Sequence, residues 1–143
     1  LDQLDGAPIF DIPYDENRWP ALRLEAKVRS MLDGISVWGR EFYRPVDERS
    51  PTIIDHETAR AHRIADSLDK DVADGLFDGS LSIAQLLLAC ALPPYWHWPN
   101  AKLDLREGRP SEFQWRSDRS NLSTWIDRFC KRPSIQETIP IEH

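Results

Sequence analysis

The side chains in this sequence that could do chemistry are four histidines, two cysteines and a set of carboxylates. His56 and His62 are six residues apart, whereas two side chains on one face of a helix are separated by three or four. No cysteine or carboxylate completes a metal-ligand set with them. Cys90 as a nucleophile would need a base and access to a substrate, and its apolar surroundings offer neither. We therefore predict no metal site and no catalytic residue.

A capping pattern opens the apolar run at residues 81–92. Ser82 has the hydroxyl of a good helix N-cap, and Gln85 stands where its side chain can reach back to the Ser82 amide. Leu81 and Leu86 are spaced to form a hydrophobic staple around this capping box. The seven residues after Gln85 carry no charge, which predicts a central helix buried on all sides with Cys90 as a core thiol.

A long helix is predicted from about residues 15–19 to Tyr43, where Pro45 follows closely. Gly34 and Gly39 interrupt it and indicate close packing or a bend. Its apolar residues recur at steps of three and four, as on one face of a helix: they are Leu24, Val28, Met31, Ile35, Trp38 and Phe42.

A second long helix begins at Ser50, a favourable cap, with Pro51 in its first position. Its apolar stripe comprises Ile54, Ala61, Ala65, Leu68, Val72 and Leu76. Its other faces are predicted to be solvated, and they carry Asp55, Glu57, Arg60, Arg63, Asp66 and Asp69.

The rest of the chain has aromatic, polar and helical parts in that order. Tyr95, Trp96 and Trp98 follow a Pro-Pro pair, and they either cover a ligand or close the core. Residues 100–119 predict a long polar loop, followed by a helix from about Ser120 to Arg132 and a short turn at 133–138. No segment alternates as a strand does, so we predict an all-α fold.

Length and composition describe a single globular domain. The chain has 143 residues, of which 41% are hydrophobic and 29% charged. Its net charge of −6 argues against a nucleic-acid surface, which requires a basic patch. The longest apolar run is too short to span a bilayer, and no signal peptide is visible. With two cysteines predicted as reduced thiols, we expect a cytoplasmic protein.

The order of these motifs resembles the C-terminal helical domain of cytosolic, bacterial-type glutathione transferases. The resemblance is carried by the capping box at Ser82, by Trp125 to Phe129, and by the closing segment 132–138, Arg-Pro-Ser-Ile-Gln-Glu-Thr. It extends over residues 18–138. The sequence departs from the family at Gln85, where the family has Asp, and at residues 102–116, which are longer than the usual link.

The resemblance implies a helical bundle over residues 15–143, with 1–14 as a linker and the end of a preceding helix. In the family, an N-terminal thioredoxin-like domain binds and activates glutathione and supplies the catalytic group. That domain is absent from this chain, so we expect the chain to be inactive alone. Glutathione would be the co-substrate of a full-length protein, which would form a homodimer and require no metal.

The family builds its pocket for hydrophobic small molecules partly from the first helix of this domain. The resemblance therefore implies that Met31, Ile35, Trp38 and Phe42 bind the substrate, and the alternative is ordinary core packing. Asp33 on the same helix is a solvated residue, a pocket-edge group or a dimer contact.

Two functions remain open from the sequence. The chain is either the electrophile-binding half of a glutathione transferase or a non-catalytic helical module for protein–protein interaction. The segment 1–5 reads as the end of a helix, which favours the first alternative. The reading frame upstream of Leu1 would discriminate between them.

Overall fold

The structure, a computed structural model, describes residues 18–92, 114–116 and 118–138. These residues contain helices and no strand, which confirms the predicted all-α class. The helices are α1 (Arg18–Tyr43), α2 (Pro51–Ala73), α3 (Ile83–Ala91), α4 (Ser120–Phe129) and α5 (Pro133–Gln136), with a 3-10 helix at Val46–Glu48. None of these helices is long and apolar enough to cross a membrane.

Several expectations from the sequence fall outside the described residues. They concern the linker at 1–14, the aromatic residues Tyr95, Trp96 and Trp98, and residues 100–113 of the predicted loop.

Helices α1 and α2 form an antiparallel pair. At one end the Glu41 carboxylate accepts a hydrogen bond from the Ser50 backbone N–H at 2.8 Å. Towards the other end, Lys27 donates to Ser67 at 2.8 Å and pairs with Asp71. The predicted start of α2 is confirmed, since the Ser50 hydroxyl accepts from the Ile53 N–H and Pro51 occupies the first turn.

Helix α1 packs against both α2 and α3, and α4 packs mainly against α2. The four helices share one core, because each turns an apolar stripe towards the others. Its fully buried members include Val28 and Met31 of α1, Leu68 of α2, Leu88 of α3 and Leu122 of α4.

The prediction that α3 is buried on every side is wrong. Ala84, Leu88 and Ala89 are buried, whereas Leu86 is partly exposed and Cys90 is exposed. The helix packs chiefly against α1 and only slightly against α4, and Cys90 in its last turn stays exposed. A uniformly apolar sequence does not by itself decide which residues are covered.

The structure also corrects the last member of the α2 stripe, Leu76, and the end of α4. Helix α2 ends at Ala73, and Gly75 turns the chain with φ +77°, so Leu76 lies 47% exposed and Phe77 enters the core instead. Helix α4 ends at Phe129 rather than Arg132. Arg132 is extended, with ψ 135°, because a residue before proline disfavours the helical conformation.

The polar faces of α2 are less solvated than predicted. The Glu57 side chain is only 12% exposed and pairs with Arg60, which reaches across to α1. Asp66 and Asp69 both bind residues at the start of α4. These charges therefore hold neighbouring helices together as well as facing water.

Candidate functional site

The four residues predicted to bind substrate lie together on the buried face of α1. Met31, Ile35, Trp38 and Phe42 are 1%, 2%, 2% and 5% exposed. The Trp38 and Phe42 rings meet edge to face with their centroids 4.7 Å apart, and Trp38 Nε1 donates to Thr58 Oγ1 at 2.9 Å. In this chain they pack in the core, which was the alternative interpretation. Such burial leaves little of these side chains for a ligand to touch. A direct contact with substrate stays a prediction.

The opposite face of α1 is exposed and polar. It carries Arg29, Asp33, Ser36, Arg40 and Tyr43 at steps of three and four residues. Arg29 is paired with a glutamate one turn earlier at 2.8 Å. The Ser36 hydroxyl donates to a backbone carbonyl at 2.8 Å, and Arg40 Nε donates to the Ser36 carbonyl at 3.2 Å. Tyr43 is 72% exposed. This face is the most exposed part of the second half of α1.

A close contact at Gly34 fixes the middle of α1 against α2. A Cβ atom at this position would lie 2.6 Å from Glu57 Oε2 and 2.8 Å from Arg60 Nη1. The missing side chain leaves room for the Glu57–Arg60 ion pair, and Arg60 goes on to donate to the Ser30 carbonyl and hydroxyl at 3.0 and 2.7 Å. The close packing predicted at Gly34 is confirmed.

A buried carboxylate fixes the corner between α1 and α2. Glu41 is 7% exposed and accepts from the Ser50 N–H, and Arg44 approaches it at 3.4 Å. The Ser50 hydrogen bond lowers the pKa of Glu41 below its usual value, Arg44 adds to this, and desolvation opposes it. Arg49 donates to the Phe42 carbonyl at 2.7 Å. The end of α1 that carries Tyr43 is therefore held in place.

The capping box at the start of α3 is confirmed. The Ser82 N–H donates to Gln85 Oε1 at 2.9 Å, and the Gln85 N–H donates to Ser82 Oγ at 3.3 Å. The structure adds a contact that the sequence did not predict: Gln85 Nε2 donates to the Phe77 carbonyl at 2.9 Å. Trp125 Nε1 donates to the same carbonyl at 3.4 Å. An Asp at position 85 would have no donor for it.

The histidines and cysteines do not assemble into a reactive site within the described residues. His56 is exposed, and His62 lies 3.1 Å from the guanidinium of Arg119 through its Nδ1 atom. No group of three or more potential metal ligands occurs in the described part of the chain. Burial raises the pKa of the Cys130 thiol, with nearby Asp127 and Cys90 adding to the effect, and this disfavours the nucleophilic thiolate.

Comparison with known proteins gives similarity at the level of structure. No family model and no curated protein matches the sequence. A solved glutathione transferase family member from Pseudomonas fluorescens Pf-5, with bound S-(propanoic acid)-glutathione, is similar with a TM-score of 0.73 and 24% sequence identity. The match covers 99% of this chain and 67% of that one. A structure from the same organism with bound glutathione gives a TM-score of 0.72 and 24% identity, covering 99% and 63% of the two chains.

These similarities identify the fold. The chain has the fold of glutathione transferase family members, as its motifs predicted, and it spans about two thirds of the length of the two solved chains. At 24% identity the likeness concerns the fold, and the activity is a separate question.

Proposed function

We propose that this chain is the C-terminal helical domain of a glutathione transferase-like enzyme. The observation that carries the proposal is the match over 99% of the chain to a protein solved with glutathione and with a glutathione conjugate in place. In this proposal residues 15–143 form the helical domain, and a thioredoxin-like domain of the longer protein binds glutathione.

The proposed reaction joins the glutathione sulfur to an electrophile. The thiolate attacks an electrophilic carbon, a carbon–sulfur bond forms, and the leaving group departs or the electron pair moves onto the acceptor. The thioredoxin-like domain would hold the thiol in its reactive state. The helical domain would contribute one wall of the cleft that positions the electrophile.

Helix α1 is the proposed wall. Its buried face packs in the core, and its exposed face is the one towards the substrate. Met31, Ile35, Trp38 and Phe42 support the wall from the core and touch substrate only where their edges reach the surface. The contacts at Gly34 and Glu41 hold the helix in position. A wall fixed in this way keeps the electrophile oriented without losing further conformational entropy on binding.

The experiment is a comparison between this chain and the protein encoded by the complete reading frame that contains it. We expect the complete protein to be retained on immobilised glutathione and to conjugate glutathione to 1-chloro-2,4-dinitrobenzene. We expect the 143-residue chain to do neither. A complete protein that neither binds nor conjugates glutathione would contradict the proposal and favour the protein-interaction module. We further propose that the complete protein is cytoplasmic and forms a homodimer. Sedimentation of the complete protein would test the homodimer.

A further inference from the structure

The exposure of α1 separates the residues that support the wall from those that a substrate would meet. The stripe from Met31 to Phe42 is at most 5% exposed and offers a substrate only its edges, whereas the opposite face of α1 is exposed. We propose that Ser36, Arg40 and Tyr43 form a specificity surface for electrophiles with an aromatic body and a carboxylate group. This inference rests on the proposed function and adds the class of substrate.

Arg40 is the residue of this surface that would recognise the carboxylate. Two other arginines of this region already pair with carboxylates. Arg29 pairs with Glu25 at 2.8 Å. Arg44 lies 3.4 Å from Glu41 and 3.9 Å from Glu48. Among the described residues Arg40 forms no ion pair and uses only its Nε atom, on a backbone carbonyl. Its two terminal nitrogens can therefore donate side by side to a carboxylate, the geometry in which arginine binds that group best.

Ser36 and Tyr43 adjoin Arg40 on the same face, because residues three and four apart are neighbours on a helix. The Tyr43 ring is 72% exposed and offers a flat surface for an aromatic body. The Ser36 hydroxyl donates to the Leu32 carbonyl, so its oxygen remains an acceptor for a polar ring substituent. Asp33 lies about 10 Å along the helix from Arg40. At that distance the charge of this exposed carboxylate is largely screened from a substrate carboxylate at Arg40.

Arg40 takes no part in the bond changes of the proposed reaction. With a chloroarene, the glutathione thiolate adds to the carbon that bears chlorine, the carbon–sulfur bond forms, and chloride leaves with the bonding electrons. The thiol proton passes to solvent. Arg40 therefore binds a part of the substrate remote from the reacting carbon. Its replacement should change the preference between substrates, measured as a ratio of kcat/KM values.

The test uses the protein from the complete reading frame with two chloroarenes of the same shape, 4-chloro-3,5-dinitrobenzoate and 4-chloro-3,5-dinitrobenzamide. We expect Arg40→Gln to lower the kcat/KM ratio of acid to amide by about five- to tenfold, the loss of one charge-assisted contact. Arg40→Lys should retain part of the preference. Arg29→Gln is the matched control. It removes the same charge from an arginine about three turns earlier on the same helix, and that arginine is already paired with Glu25.

The outcomes separate this inference from the proposed function. Conjugation of both substrates with an acid-to-amide ratio that Arg40→Gln leaves unchanged would overturn the inference alone. An equal loss for both substrates together with a change in sedimentation would assign this face to a contact between two copies, and would also overturn it. Conjugation of 1-chloro-2,4-dinitrobenzene without conjugation of either of these two substrates would overturn this inference alone. Absence of conjugation with all three would overturn the proposed function and this inference with it.

Discussion

Individual polar residues of this protein satisfy more than one backbone group, and Gln85 shows this most clearly. Its carbonyl oxygen completes the capping box, and its amide nitrogen supplies a buried carbonyl from the preceding turn. A carboxylate could perform only the first task, since it has no donor. The departure from the Asp of the family thus has a local physical reason.

Replacing Gln85 with Glu tests that reason. The change keeps an acceptor for the Ser82 N–H but leaves the Phe77 carbonyl with only the longer bond from Trp125. We expect a loss of about 1–2 kcal/mol in the free energy of unfolding, because an under-satisfied buried acceptor costs more than a charge near a helix N-terminus contributes. Urea denaturation measures it. Gln114→Glu, at an exposed position, is the control and should be nearly neutral.

Glu41 gives a prediction for pH dependence. Its pKa is lowered in the folded state, first by the Ser50 N–H. The stabilisation is therefore fully present above the ordinary pKa of a glutamate and is lost as the pH falls through the lower folded-state value. We expect wild-type protein to lose more stability than Glu41→Gln between pH 5 and pH 3, measured by urea denaturation across that range.

The control for Glu41 is Glu48→Gln. Glu48 is exposed and only loosely paired with Arg44, at 3.9 Å. Its replacement should leave the acid sensitivity of the wild type unchanged. An identical acid response in wild type and Glu41→Gln would show that the corner carboxylate does not contribute to the pH dependence.

At the scale of elements, α4 begins without a capping side chain of its own. Its N-cap residue, Arg119, makes no side-chain cap hydrogen bond. Asp69 of α2 supplies the cap instead, accepting from the Leu122 N–H at 2.8 Å and from the Asn121 side chain at 3.0 Å. Arg119 also crosses to α2, where its Nε donates to Asp66 at 2.8 Å. The start of α4 is therefore capped by a residue of α2.

Asp69→Ala should show that this cap acts between helices. Loss of a capping carboxylate costs about 1 kcal/mol, and we expect a decrease of that size in the free energy of unfolding. Amide hydrogen exchange at Leu122 should quicken. Asp55→Ala makes the same change at an exposed position of α2 and should cause neither effect. Equal exchange at Leu122 in the two variants would contradict a cap donated by α2.

At the level of the whole fold, α3 contributes to the shared core through one fully buried leucine. Leu88 is fully buried where α3 packs on α1, whereas Leu86 and Leu87 are only partly buried. The apolar run in the sequence treats the three leucines alike. The structure shows that one of them fills the shared core and two lie at its margin.

Leu88→Ala should therefore destabilise the fold far more than the same change at its neighbour Leu86. A fully buried leucine that is replaced by alanine leaves a cavity, which costs about 2–5 kcal/mol. We expect a loss in that range for Leu88→Ala and less than half of it for Leu86→Ala, measured as the free energy of unfolding in urea. Similar losses at both positions would mean that α3 is covered on both sides.

Features that depend on neighbours along the chain could be predicted from the residues alone. The all-α class, the caps at Ser50 and Ser82 and the stripe on α1 follow from local hydrogen bonding and helical periodicity, so they could be predicted. The resemblance to a family of known fold also rested on such local motifs. For the candidate site, the sequence predicted four residues of α1, and the structure shows that all four are buried.

Features that depend on contacts between helices became visible in the folded chain. The fold placed Cys90 outside the core, gave Asp66 and Asp69 partners on α4, and left Ser36, Arg40 and Tyr43 as the accessible face of α1. The type of a residue does not predict which helix will cover it or pair with it, because burial and long-range pairing depend on how the helices pack. The exposed face of α1, and with it the proposed specificity surface, could therefore be recognised only after the core had been defined.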